Sequence, residues 1–304
     1  MNDHHTPRCI IFVPGKNPKP PAEVHKQALW RCLVRGAEQA GPVCTRGLSQ
    51  AADDFILVSW NHEYYGCDKP GALDSYWIDS VIRRTQATEE EKREALSLNI
   101  KITSWFYSLA DRYPWFIDII PDAAVKSSVQ ETIRYFEDID GIGSRIRAML
   151  KKSLRQALDE GREVLLVSHS MGCVIAYDSL WELWHEEGYT KRIDHFITLG
   201  SPLGMHFVQQ RIKGCQRSAP HCYPGNIRKW SNVAAEGDLV ALDKTVFDDF
   251  GDMKALGLTD AIHDYCHNVF NYFRNESGLN VHRSYGYLVN VVVGRIVCDW
   301  WENV

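Results

Sequence analysis

Ser170 lies in the run Ser168-His169-Ser170-Met171-Gly172, between the apolar stretches Glu163–Val167 (EVLLV) and Cys173–Trp181 (CVIAYDSLW). A serine at a sharp strand-to-helix turn can act as a nucleophile. The turn forces its backbone into a strained conformation and lifts the hydroxyl above the sheet edge. The N-terminus of the following helix carries partial positive charge, which favours a developing anion. Strand and helix approach closely there, so the positions two before and two after the serine must be small. Gly172 satisfies the second. Ser168 fills the first and is one hydroxymethyl group larger than the usual glycine. A lone S-x-S-x-G also arises by chance, and here the flanking strand and helix carry the reading. The side chain of His169 is expected to leave the turn in another direction from that of Ser170, so His169 is not the expected base.

The elements that must position this serine follow from periodicity. Cys9–Val13 (CIIFV) reads as a buried strand ending at Pro14-Gly15. Ala22–Ala40 reads as a helix with Val24, Ala28, Leu29, Cys32 and Leu33 on one stripe. Asp54–Trp60 reads as a second strand, Ser144–Asp159 as a helix, Glu163–Val167 as a core strand and Met171–His185 as a helix. His195–Leu199 reads as a further strand, Lys229–Ala234 as the last one, Thr259–Phe273 as a helix and Tyr285–Trp301 as the final helix. This alternation predicts an α/β fold, a mostly parallel sheet with helices on both faces. Residues 62–138 break the rhythm and read as largely helical, around the aromatic cluster Trp105, Phe106, Tyr107, Tyr113, Trp115 and Phe116. They are expected to form an inserted helical cap on a core made of residues 1–61 and 139–304. The alternative is that these helices cover one face of the sheet.

The turn at Ser170 resembles the nucleophile elbow of lipases and esterases in the α/β-hydrolase superfamily. Gly200-Ser201-Pro202 also resembles a turn of lipase-like members, with Ser201 expected to be structural. The resemblance implies a triad in the chain order serine, acid, histidine. The strand Trp230–Ala234 and the loop Glu236–Val240 resemble the N…D-x-V pattern of lipase-like members, which makes Asp238 the expected acid, with Glu236 and Asp243 as alternatives. His282 ends the loop before the final helix, where the superfamily places its base. His263 and His267 are its rivals in the same region. In these roles His282 takes the Ser170 proton, Asp238 holds the imidazole, and water resolves an acyl-enzyme. The oxyanion donors are expected at the backbone N–H groups of Met171 and Lys16, with Gly15 and Asn17 as alternatives to Lys16. Many relatives have His-Gly where this chain has Pro14-Gly15. Gly15-Lys16 does not make a phosphate loop, because Ile10 stands at the first glycine position and Asn17 replaces Ser/Thr.

Whole-chain properties narrow the class. The 304 residues suffice for one large domain, and 45% hydrophobic and 24% charged residues are ordinary for a globular chain. A net charge of -5 argues against non-specific nucleic-acid binding. No stretch approaches the ~18 apolar residues of a membrane span, and the chain reads as cytoplasmic. The nine cysteines show no C-x-x-C and no zinc spacing with histidine, so free, mostly buried thiols are expected. No metal and no cofactor are expected. The expected substrate is a small-molecule or lipid-like carboxylic ester with an apolar acyl part, bound by Trp105, Trp115 and Phe116. Those aromatics could also make transient contact with a lipid surface, or simply pack the cap onto the core. Thioesterase, amidase and acyltransferase chemistry, and a catalytically silent binding module, are the alternatives.

Overall fold

The computed structural model describes residues 6–41, 47–71, 74–97 and 123–303. Eight strands are found there: β1 (Arg8–Val13), β2 (Phe55–Leu57), β3 (Glu163–His169), β4 (Ile193–Leu199), β5 (Ile227–Val233), β6 (Ala261–Tyr265), β7 (Arg274–Asn275) and β8 (Gly278–Leu279). The first six form one sheet in the order β2-β1-β3-β4-β5-β6, and every pairing is parallel. β7 and β8 form a separate antiparallel hairpin.

The α-helices are α1 (Ala22–Ala40), α2 (Trp60–Tyr65), α3 (Ser75–Ile82), α4 (Glu89–Ala95), α5 (Ala123–Phe136), α6 (Ile142–Asp159) and α7 (Met171–His185). They continue as α8 (His206–Gln209), α9 (Phe247–Phe250), α10 (Asp252–Ala255), α11 (Ser284–Leu288) and α12 (Val291–Asn303). The strands read as continuous apolar runs because both faces are buried. In β1, Cys9, Ile11 and Val13 pack with Ile146, Leu150 and Leu154 of α6 and Val174 of α7. Ile10 and Phe12 point the other way, toward Leu29 and Leu33 of α1 and Val293 and Val297 of α12. These two cores clamp the sheet and fix the ends of its central strands, where the candidate site lies.

Several elements differ from their sequence-based expectation. Residues 259–273 contain the edge strand β6 rather than a helix, so Lys229–Ala234 does not hold the last strand. Only Ile262 of β6 is buried, while His263 and Tyr265 are exposed, and so the segment lacks the apolar run that marks the inner strands. Trp60 begins α2 instead of ending β2. The final helix is interrupted at Asn290, whose Oδ1 accepts from Val292 N at 2.9 Å and so caps α12.

The described helices of 62–138 pack on the core. Ile78 and Val81 of α3 join the α1/α12 side, while Tyr64 of α2 and Tyr135 of α5 join the α6/α7 side. Trp105, Trp115 and Phe116 lie outside the described residues. Cys9, Cys32, Cys67, Cys173, Cys215, Cys222 and Cys266 are free. Cys298 is disulfide-bonded, a departure from the expectation of free thiols. Among the described residues no helix is long and apolar enough to cross a membrane.

Candidate active site

The elbow forms where β3 meets α7. Ser170 has φ +55° and ψ -127°, a conformation that L-residues rarely adopt. Its N–H donates to Leu199 O of the neighbouring strand at 3.0 Å, which ties the strained turn to the sheet. A side chain at Gly172 is excluded, because its Cβ would lie 2.3 Å from Val13 O and 2.7 Å from Pro14 O. The larger residue at position 168 is accommodated, since the buried Ser168 hydroxyl donates to Ile197 O at 3.3 Å.

Three side chains meet at the carboxyl ends of the strands. Ser170 Oγ lies 2.9 Å from His282 Nε2, and His282 Nδ1 lies 2.8 Å from Asp238 Oδ2. An ionised carboxylate only accepts, so the proton of the neutral imidazole sits on Nδ1 and the Nε2 lone pair faces the serine hydroxyl. Asp238 is buried, and its second oxygen accepts from Val240 N at 2.9 Å. Burial pushes the Asp238 carboxyl up, but His282 and the Tyr287 hydroxyl outweigh that and hold it below the ordinary carboxylate range.

Two supporting residues, Tyr287 and Asn280, were not singled out from sequence. Tyr287 of α11 donates to Asp238 Oδ2 at 2.6 Å and accepts from Ala235 N at 2.9 Å. Asn280 Oδ1 accepts from His282 N at 3.2 Å. Gly200 has φ +53°, and a Cβ there would stand 2.8 Å from Asp238 Oδ2 and 3.1 Å from His282 Nδ1. The Gly-Ser-Pro turn therefore leaves room for the acid–base pair. The Ser201 hydroxyl instead accepts from Leu203 N at 3.2 Å, a structural contact.

His169 points away from the Ser170 hydroxyl. Its Nε2–H donates to the backbone oxygen of His282 at 2.7 Å, bracing the loop that carries the imidazole. Burial first, then the nearby His282 and Lys19, push His169 well below its ordinary pKa and keep it neutral. The rivals for the base, His263 and His267, are exposed. The alternative acids are engaged elsewhere: Glu236 pairs with Lys244, and Asp243 accepts from Thr245 N and Oγ1.

The loop after β1 is pinned by α2. Trp60 Nε1 donates to Pro14 O at 2.8 Å, and the buried Asn61 Nδ2 donates to Gly15 O at 2.8 Å and Asn17 O at 3.0 Å. Asn17 N donates to the Tyr65 hydroxyl at 3.0 Å, so this N–H is already engaged. A Cβ at Gly15 would lie 2.8 Å from Ser170 Cβ, which shows how closely the loop approaches the serine. Lys16 lines the cavity above Ser170, and its Nζ donates to Thr132 Oγ1 at 3.3 Å. Met171 also lines that cavity and is the first residue of α7, so its N–H has no acceptor within the helix.

The cavity measures about 440 Å³ and contains Ser170 and His282 in its wall. Met171, Pro202, Met205, Phe207, Leu239 and Val240 give it an apolar flank. Among the described residues no cluster of three His, Cys, Asp or Glu side chains is arranged to hold a metal ion.

The family model for lecithin:cholesterol acyltransferase matches residues 145–240, about a third of the chain. The match runs from α6 through the elbow to Asp238 and stops short of His282. No curated protein and no solved structure matches the chain. The chain has the α/β-hydrolase fold, and its central third is similar to the lecithin:cholesterol acyltransferase family.

Proposed function

We propose that the protein is a serine hydrolase that cleaves carboxylic esters with an apolar acyl part through an acyl-enzyme. The observation that carries this reading is the continuous hydrogen-bonded chain from Ser170 Oγ through His282 to Asp238 Oδ2. In this reading His282 Nε2 takes the hydroxyl proton as Ser170 attacks the ester carbonyl, and Asp238 stabilises the imidazolium that forms. The N–H groups of Met171 and Lys16 receive the oxyanion. The imidazolium then protonates the leaving alkoxide, and water activated by the same imidazole releases the acid. The apolar flank of the cavity takes the acyl chain.

A second reading is acyl transfer, in which an alcohol replaces water in the second step. The similarity of residues 145–240 to an acyltransferase family favours it. Turnover of p-nitrophenyl esters of increasing chain length, with and without an added alcohol, tests both readings. Hydrolysis is expected to need Ser170 and His282, with Ser170→Ala and His282→Ala losing several orders of magnitude in rate. An alcohol that speeds release of the acyl group more than water does assigns the transferase. No Ser170-dependent turnover of any ester, at any chain length, would leave the silent binding module.

A further inference from the structure

Part of the cavity wall is cationic. Lys16, Lys19 and Arg283 line it, and no aspartate or glutamate does so among the described residues. Arg283 directly follows His282, so this charge stands beside the imidazole. The nearest carboxylate of the cluster, Asp74, is buried and already shared: it accepts from Arg283 Nη2 and, at 3.0 and 3.1 Å, from Lys69 Nζ. Among the described residues Lys19 makes no ion pair, and its Nζ donates to Lys16 O at 2.5 Å. Arg283 Nε is buried with no acceptor among the described residues. Lys19, Arg283 and Lys69 together face one carboxylate, which leaves an excess of positive charge at the cavity wall.

Such an imbalance is costly without a counter-charge. Burial, then Arg283, push the Lys19 ammonium down to about 7. The same two cations, after burial itself, depress His25 behind them. An anion seated between Lys19 and Arg283 would relieve each of these strains. Cations with spare donors that converge on a concave site are suited to an oxyanion.

We propose that this cationic wall is a subsite for an oxyanion carried by the substrate, so that the ester bears an apolar acyl chain on one side and a phosphate or carboxylate on its alcohol side. The proposal rests on the ester-cleaving reading for the identity of the ligand as substrate. The binding it asserts stands apart from turnover. Lys19 and Arg283 hold the anionic group, while Met205, Phe207 and Leu239 receive the chain.

The test is calorimetric titration of the Ser170→Ala protein at pH 6.5 with octyl phosphate, octanoate, octanol and inorganic phosphate. At least one of the two anionic amphiphiles is expected to bind tenfold or more tightly than octanol, and which one does so names the oxyanion. The preference is expected to vanish in Ser170→Ala/Lys19→Met, which keeps the aliphatic stem, and to survive in Ser170→Ala/Lys19→Arg. Thermal melts of the three proteins verify that they fold. Octanol binding as tightly as both anions would overturn the proposal, as would a preference unchanged by Lys19→Met. Inorganic phosphate binding as tightly as octyl phosphate would also overturn it, since the site would then take a free anion. Absence of ester turnover in the native protein, with anion preference intact, would instead defeat the catalytic reading alone.

Discussion

Tyr287 reaches beneath the candidate triad and places its hydroxyl 2.6 Å from Asp238 Oδ2, the same oxygen that faces His282 Nδ1. The hydroxyl also accepts from Ala235 N at 2.9 Å, so one buried oxygen ties the acid to the end of β5. Tyr287 hydrogen-bonds to Asp238 and Ala235, so under the proposed reading it is a positioning residue.

Tyr287→Phe removes a hydrogen bond to a charged acceptor, an interaction worth about 1.5–3 kcal/mol. A fall in kcat/KM of about tenfold or more is expected. The acid limb of the pH profile is expected to move to higher pH. Burial raises the Asp238 carboxyl, and Tyr287 is one of the groups that pull it back down. Losing that pull leaves a more basic carboxylate, which holds the His282 imidazolium more firmly, so the free base is lost at higher pH. An unshifted acid limb, with only lowered stability, would reduce Tyr287 to a packing role.

Gly200→Ala tests the room made for the acid–base pair. A Cβ there combines a positive φ of +53° with a 2.8 Å approach to Asp238 Oδ2. The substitution is expected to cost about 1–2 kcal/mol of stability and at least about a hundredfold in kcat, in line with small misplacements of catalytic groups. Urea unfolding and ester turnover measure the two effects. Near-normal kcat would mean that the side chains of Asp238 and His282 shift freely, contrary to the tight fit described.

His25 gives a stability prediction with a definite sign. It is buried against Tyr285, and burial pushes its pKa down to about 3. Between the ordinary value of 6.5 and about 3 the unfolded chain binds a proton that the native state does not. Stability therefore falls as pH falls, by up to about 1.4 kcal/mol per pH unit from this one group. Denaturant midpoints between pH 6 and 5 should decline less steeply in His25→Gln than in the native sequence. His169 contributes in the same direction over this window and stays in the variant, whereas the contribution of Asp238 is lost only below the ordinary carboxylate range. Parallel slopes would show that His25 is protonated in the folded state.

Much of this site was legible in the sequence because its parts are local. The elbow is announced by strand, turn and helix within one stretch, and β3 and α7 fall where their apolar runs place them. Asp238 and His282 followed from a resemblance, which supplied a chain order that spacing alone could not. What escaped was set by long-range packing. Tyr287 looks like one more apolar position of a final helix until Asn290 caps α12 and turns α11 toward Asp238. Asn61 reads as a loop polar residue, and only the fold brings its amide under Gly15 and Asn17. β6 escaped because an edge strand with one buried side chain carries no apolar run. The cationic wall joins Lys19 to Arg283 across most of the chain, and no local pattern links them.

Under the proposed reading Ser170 is the nucleophile, activated through His282. The most direct measurement is intact-mass analysis and peptide mapping after treatment with a fluorophosphonate. One phosphonyl adduct on Ser170 is expected, absent in Ser170→Ala and formed far more slowly in His282→Ala. An adduct on another residue, or equal labelling of native protein and Ser170→Ala, would contradict it.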